Sequence, residues 1–474
     1  MTGTATTQAA GSLAGGLVVS TVATSSLGDR SYLAADGAVA VVIDPQRDVD
    51  RVIAEAGRLG VRITAVLETH VHNDYVSGGL ELARLTGAEY GVAEADRAPF
   101  AHRPLRDGDV IELSGRMRVR VVATPGHTFH HMSYVLEGEA GPVGVFTGGS
   151  LLLGTTGRTD LLGPEHSRDL ARHQHASARK LVQALPEGAH IWPTHGFGSF
   201  CSATPPSGDA ADIGEQLRVN PALTLAEDEF VEQTLSGLDA YPAYYAHMGV
   251  QNARGPEPLD LRPPATASRE ELARRLAAGE WVIDLRSRKA YAASHLAGIV
   301  SLGLDGPMVT WLGWMIDWGA PVTLVGETSE QVAEAQRELA RIGIDALAGA
   351  ATGQPAELAT GQSRTRDTPT ATFEDLAAVQ HGRVDGLPEA GVVLDVRTHN
   401  EFRAAHVDGA VHIPLYELKA RLAEIPDGTV WVHCGSGYRA TAGASLLEQA
   451  GRAAVIVDDD FGAAERAGVS MAEI

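Results

Sequence analysis

Apolar residues in the first 250 positions fall mainly into short runs, with period two or with no polar break, as half-buried and fully buried strands require. The runs at 16–22, 39–43, 63–67, 119–122, 132–136 and 143–146 are predicted strands. Between and after them the period lengthens to that of an amphipathic helix, most clearly over 167–185. Strands with interspersed helices, without strict alternation, predict two sheets covered by helices on their outer faces.

Past position 267 the pattern changes to strict alternation. After the segments 281–286 and 392–397, a second apolar strand follows at 322–325 and at 430–433, each with helical periodicity after it, which predicts parallel α/β sheets. Two stretches, 253–267 and 349–369, are rich in Pro, Gly and small polar residues and read as linkers. They divide the chain into segments 15–252, 268–348 and 370–474, preceded by a loose tail over about 1–14. The last two segments repeat each other. Trp281-Val-Ile-Asp-Leu-Arg286 is echoed by Val392-Val-Leu-Asp-Val-Arg397, and Tyr291-Ala-Ala-Ser-His-Leu-Ala-Gly298 by Phe402-Arg-Ala-Ala-His-Val-Asp-Gly409.

A length of 474 residues agrees with three segments, at about 150 residues per domain. With 44% hydrophobic and 21% charged residues the chain is globular. Its 38 Lys+Arg against 60 Asp+Glu give a formal charge of −22, which disfavours nucleic acid and anionic membranes as partners. No apolar run reaches the ~18 residues of a membrane span. Two cysteines, Cys201 and Cys434, are too few for a disulfide scaffold and predict a reducing cytoplasm.

The first concentration of chemistry is Thr69-His-Val-His-Asn-Asp-Tyr75, directly after a predicted strand. Extended backbone there puts His70, His72 and Asp74 on one face. His127 in Thr124-Pro-Gly-His-Thr128 and His195 in Pro193-Thr-His-Gly196 stand on two further turns. Neutral imidazoles on separate strand ends are a usual way to hold a borderline transition metal.

These residues resemble the metallo-β-lactamase superfamily, whose His-x-His-x-Asp-His motif is present with Tyr75 at its last position. The resemblance implies an αββα sandwich with a metal at one edge. Gly157-Arg-Thr-Asp160 and His195-Gly-Phe-Gly-Ser-Phe-Cys201 are similar to the persulfide dioxygenases of that superfamily, which hold a single Fe(II). One divalent metal is therefore expected, Fe(II) ahead of Zn(II), on His70, His72 and His127, with Asp74 and His195 outside the ligand set or at a second site. The family's carboxylate ligand lies in a Phe-Thr-Gly-Asp segment, and this chain reads Phe146-Thr-Gly-Gly149. His72 is then the nearby third donor, with Asp160 or a water in place of the lost carboxylate as the other outcome. Arg158 either pairs with Asp160 or holds an anionic thiol. Cys201 is either an inert buried side chain or a wall of the persulfide pocket.

The second concentration is Cys434-Gly-Ser-Gly-Tyr-Arg439, between the strand 430–433 and a helical run over 440–449. Gly435, Ser436, Gly437 and Tyr438 allow the loop to curl its amides inward, and a ring of N–H groups beside Arg439 stabilises a thiolate. The loop, with Asp395-Val-Arg397 and His406-Val-Asp-Gly-Ala410 as framework, resembles the rhodanese family. That resemblance implies that Cys434 carries a sulfane sulfur and that Arg439 binds an anionic donor. In the segment 268–348 the equivalent positions are Gly326 and Gln331, so a rhodanese fold without transferase chemistry is expected there.

Together these readings predict an α/β protein, a metallo-β-lactamase sandwich followed by two rhodanese-type domains, the second of them active. The implied chemistry is oxidation of a low-molecular-weight thiol persulfide by O2 to sulfite, with sulfur transfer through Cys434 to give thiosulfate. The alternatives are a thioester hydrolase of the glyoxalase II type and a sulfur carrier acting only through Cys434. The oligomeric state is left open, a homo-oligomer included.

Overall fold

The computed structural model describes residues 7–8, 13–202, 204, 206, 208–361, 364–382 and 386–472. Apart from 7–8 and 13–14, the expected tail lies outside them. The chain divides into two compact units, one reaching to Asp260 and taking in Ala340–Gly343, the other holding Leu261–Leu339 and the chain from Ile344 onward.

The first unit contains a seven-stranded and a six-stranded sheet. The first sheet orders Thr7–Gln8, Val18–Thr24, Asp29–Ala35, Val39–Ile43, Arg62–Leu67, Glu89–Ala93 and Arg103–Leu105 side by side. The second runs Ala211–Asp212, His190–Pro193, Gly141–Gly148, Met132–Gly138, Arg118–Ala123 and Val110–Glu112. Tyr32, Val41, Ile43 and Leu67 of the first sheet meet Val119, Val121, Tyr134 and Phe146 of the second in one core. Each such side chain contributes about 1.5–3 kcal/mol by burial. On the outer face of the first sheet, Leu33, Val42 and Val66 pack with Val52 and Ala56 of helix Asp50–Leu59 and Leu82 of helix Gly79–Thr86. On the outer face of the second, Val135 and Val145 pack with Ala171, Ala178 and Leu181 of helix Ser167–Gln183. This is an αββα sandwich, and it explains why Val39–Ile43 is apolar without alternation: both faces of that strand are covered.

The second unit holds a four-stranded and a five-stranded sheet, with every strand pair within them parallel. The first orders Val300–Ser301, Trp281–Asp284, Val322–Gly326 and Leu347–Thr352; the second Thr370–Ala371, Ala454–Val457, Val430–His433, Val392–Asp395 and Val411–His412. Leu347–Thr352 enters the stretch read as a linker, because parallel pairing with Val322–Gly326 organises a sequence of Ala, Gly and Thr that has little strand signal of its own.

The two halves of this unit are braced alike. Arg286 Nε donates to Asp284 Oδ1 at 3.0 Å and its Nη2 to the Ser294 carbonyl at 2.7 Å; Arg397 Nε donates to Asp395 Oδ1 at 3.0 Å and its Nη2 to the Ala405 carbonyl at 2.7 Å. His295 Nδ1 and the Tyr291 carbonyl are 2.9 Å apart, as are His406 Nδ1 and the Phe402 carbonyl. The echoed motifs are thus framework. Among the described residues no helix is long and apolar enough to cross a membrane.

Candidate active sites

The buried histidines gather where strands of both sheets end. After strand Arg62–Leu67 the chain does not stay extended: it bends at 69–70 and again at 73–75. His70 and His72 therefore converge through bends, with ring centroids 4.1 Å apart, and not through the alternation of a strand. His127 comes from the turn before strand Met132–Gly138, and His195 follows strand His190–Pro193. The ring centroids of His70 lie 4.9 Å from His127 and 5.3 Å from His195, and those of His127 and His195 are 5.4 Å apart. All four side chains are buried.

Carboxylates and backbone groups orient these rings. His195 Nδ1 lies 2.9 Å from Asp29 Oδ1 and 2.9 Å from Asp74 Oδ2, which leaves its Nε2 facing His70 Nε2 at 3.4 Å. Two imidazole nitrogens on one tetrahedral metal, each bonded at about 2.0–2.1 Å, stand about 3.3 Å apart. His72 Nε2 is held by Asp44 at 3.2 Å, Glu68 at 3.3 Å and the Tyr75 hydroxyl at 3.0 Å, so Nδ1 is its inward atom, and that atom has no hydrogen-bond partner. His127 Nδ1 donates to the Arg158 carbonyl at 2.7 Å, and its Nε2 is likewise buried without a partner. Such carboxylate or carbonyl contacts on the far nitrogen are what orient a metal-binding imidazole. The orphaned nitrogens fit a divalent metal.

Charge separates the rings into two kinds. Burial, with neighbouring His72, holds His70 well below the ordinary histidine range. His127 is brought down to about 3 by burial and then by His195. Burial also works against a charge on His72, but Asp44 and Glu68 outweigh it and raise His72 to about 10. In the same way Asp74 and Asp29 overcome burial and raise His195 to about 9.

Asp44, Glu68, Asp29 and His131 escaped the reading of the sequence. Asp44 follows strand Val39–Ile43 with φ of 50° and accepts from Thr69 N at 2.6 Å and Thr69 Oγ1 at 2.7 Å. An acid closing an all-apolar strand was the available signal. His131 stacks on His70 at 4.9 Å, with Nδ1 2.9 Å from Thr124 Oγ1 and Nε2 accepting from Gly149 N at 3.0 Å. Both its nitrogens are engaged, so it positions His70.

Gly149 is a close-approach glycine. A Cβ there would lie 2.2 Å from His127 Cδ2, so the ring of His127 occupies the place of a side chain. Gly149→Asp should therefore not restore a carboxylate ligand; crowding should cost about 1–3 kcal/mol, a fall in Tm of a few degrees by calorimetry, with no gain in bound metal. Unchanged Tm with tighter metal would show that the ring moves aside freely.

Asp160 does not replace that carboxylate either. Arg158 Nε and Nη2 clasp its two oxygens at 2.7 and 2.8 Å, while Nη1 donates to the Phe200 carbonyl at 3.0 Å and Nη2 to the Asp239 carbonyl at 2.7 Å. Of the two roles expected for Arg158, the structural pairing is the one formed. Cys201 is buried, with Sγ 3.6 Å from the Tyr245 hydroxyl.

In the second unit, helix Tyr438–Gln449 begins two residues earlier than its apolar pattern suggests and brings Tyr438 and Arg439 into its first turn. Gly437 has φ of 90°, and a Cβ there would strike Asp458 Oδ1 at 2.0 Å, so only glycine closes the loop. Its amide donates to Cys434 Sγ at 3.2 Å. Arg439 does not point an empty fork at a donor anion: it is clasped by Glu401 at 2.5 and 2.7 Å, and its guanidinium carbon lies 5.4 Å from the Trp311 ring. Tyr438 donates its hydroxyl to the Gly303 carbonyl at 2.9 Å. At the equivalent place in the other half, Gln331 Oε1 accepts from Glu327 N at 2.7 Å, filling the cradle after Gly326.

The profile of the metallo-beta-lactamase superfamily matches residues 29–195, and that of the rhodanese-like domain matches residues 380–465. The chain is 30% identical over 249 residues to mitochondrial persulfide dioxygenase ETHE1 of Homo sapiens, over 52% of this chain and 84% of that protein. It is 31% identical over 205 residues to hydroxyacylglutathione hydrolase of Gloeobacter violaceus, over 42% of this chain and 75% of the relative. A solved metallo-beta-lactamase from Staphylococcus aureus subsp. aureus COL aligns with a TM-score of 0.62 at 28% identity, over 71% of this chain and 99% of that one.

Proposed function

Because the chain belongs to the metallo-beta-lactamase superfamily, with persulfide dioxygenases among its homologues and a rhodanese-like domain over 380–465, we propose that this enzyme oxidises a low-molecular-weight thiol persulfide and passes sulfane sulfur through Cys434. The balanced oxidation is RSSH + O2 + H2O to RSH + SO3²⁻ + 2H⁺. In the transfer, the Cys434 thiolate takes the terminal sulfur of RSSH and releases RS⁻; sulfite then attacks that sulfur, leaving as thiosulfate and restoring the thiolate. One chain with both activities keeps the shared intermediate at high effective concentration. We divide the work among segments 15–252, 268–348 and 370–474, the middle one silent because Gly326 and Gln331 stand where the nucleophile and the cation would be.

The observation that carries the oxidative step is the buried, partnerless His127 Nε2 among converging imidazoles. The fold with its His and Asp clusters implies a divalent metal. We favour Fe(II), which when bound supplies redox chemistry toward O2, whereas Zn(II) supplies a Lewis acid alone. The chain's own contributions are orientation and exclusion of water. Asp29 and Asp74 hold His195 by Nδ1, Asp44 and Glu68 hold His72 by Nε2, and burial keeps His70 and His127 neutral. A cavity of about 30 Å³ reaches His70 and His72 between Tyr90, Phe100 and Asn252, space for one or two water-sized groups. Both cysteines are free, and we place the protein in a reducing cytoplasm.

An O2 electrode tests this reading: uptake with glutathione persulfide supports it, and hydrolysis of a hydroxyacylglutathione thioester without uptake overturns it. That second reading is favoured by the hydrolase relative and by the survival of Asp74 and His195 beside His72.

Glu401 sets donor preference in the transfer step. Burial would raise its carboxyl, but Arg439 prevails and brings it to about 2. The pair is thus fully formed above the unperturbed carboxyl pKa of about 4.3 and fades only as pH falls toward 2. Glu401→Gln releases the guanidinium, and kcat/KM for dianionic thiosulfate should rise several-fold relative to that for glutathione persulfide. An unchanged ratio would show that Arg439 does not face the donor.

A further inference from the structure

Gly149 leaves the site one anionic ligand short, and the nearest soft donor in the fold is a thiol. His127, His195 and Cys201 each offer one ligand atom within 4.8 Å of the others, and all three are buried. His127 Nε2 is unpartnered there, and His195 Nε2 also faces His70 Nε2 at 3.4 Å. A buried cysteine is most often an inert apolar side chain. Here, however, an orphaned imidazole nitrogen belongs to the same cluster, and the position from which a carboxylate would reach it is filled by the His127 ring itself.

We infer that Cys201 supplies, as thiolate, the ligand that Gly149 cannot, and forms with His127 and His195 a two-nitrogen, one-sulfur set for a single divalent metal. Metal–sulfur and metal–nitrogen bonds of about 2.3 and 2.0–2.1 Å place tetrahedral ligand atoms about 3.6 Å apart, so atoms already within 4.8 Å of one another need only a small inward shift to share one metal. The Cys201 proton leaves to solvent as the metal–sulfur bond forms. One thiolate carries the same single negative charge as one carboxylate, so the charge balance of a dication is kept. A sulfur ligand also turns selectivity toward iron, cobalt and zinc and away from magnesium or calcium.

This ligand set deepens the proposed oxidation and is tested apart from it. Metal-free full-length protein carrying Cys434→Ser, in which Cys201 is the one remaining cysteine, is titrated anaerobically with Co(II). The expected result is about one cobalt per chain with a near-ultraviolet sulfur-to-cobalt charge-transfer band. Adding Cys201→Ser should remove the band and weaken cobalt binding at least tenfold (about 1.4 kcal/mol). Cobalt that fails to bind, binds without the band, or keeps the band after Cys201→Ser overturns the inference. If the double variant fails to fold, X-ray absorption of the parent holoprotein decides: a sulfur shell near 2.3 Å supports the site, nitrogen and oxygen alone overturn it. A band without O2 uptake by the iron-loaded enzyme removes the dioxygenase reading and keeps the ligand; uptake without a band does the reverse.

Discussion

Cys434→Ser should abolish sulfur transfer from thiosulfate to cyanide, by about a thousandfold or more in kcat, as expected when the nucleophile is removed. A serine hydroxyl in the same loop accepts the Gly437 amide as the thiol does at 3.2 Å, so the loop keeps its shape. What is lost is the ability to form and break a sulfur–sulfur bond. A discontinuous assay for thiocyanate measures the loss, and mass spectrometry of the intact protein after thiosulfate should show a 32 Da adduct on the parent and none on the variant. O2 uptake with supplied glutathione persulfide should be unchanged. Transfer surviving in the variant would take the nucleophile's role from Cys434.

His127→Ala carries the other large effect. Donation from Nδ1 to the Arg158 carbonyl fixes the ring's tautomer, and burial with neighbouring His195 keeps its pKa near 3. The Nε2 lone pair is thus available at every working pH. Removing the ring should weaken metal binding about a hundredfold or more, since even residues that only orient a ligand are worth about 10–100-fold. O2 uptake should fall to background while thiosulfate transfer persists. Metal analysis beside the O2 electrode reads both, and unchanged metal content would remove His127 from the ligand set.

Much of this site could be read from the sequence because histidines and glycines on turns are conspicuous between apolar runs. His70, His72, His127 and His195 converge in the fold. What escaped was the matrix around them. Asp29, Asp44 and Glu68 are single acids at strand ends, with no periodicity to mark them, and their meaning depends on which ring the fold brings to each. The same holds for Glu401, which reaches Arg439 across 38 residues of chain. Among the elements, Ser167–Gln183 was legible from its amphipathic period, and Val322–Gly326 and Val430–His433 from short, mainly apolar runs. Leu347–Thr352 was not, since its strand character is imposed by a partner. Nor was Asp29–Ala35, which opens on two charged residues but becomes a fully paired strand between two neighbours.

The Tyr438 ring rests against Gly306, where a Cβ would lie 2.3 Å from its carbons, and its hydroxyl is tied to Gly303. Two glycines of the half that carries Gly326 and Gln331 therefore shape the first turn after the Cys434 loop. In a mutational scan scored by transfer, Gly306 should behave like a member of the loop, intolerant even of alanine, while Gln331 tolerates exchange. One half is a mould for the Cys434 loop of the other, and cutting it away would remove the surface on which that loop is cast.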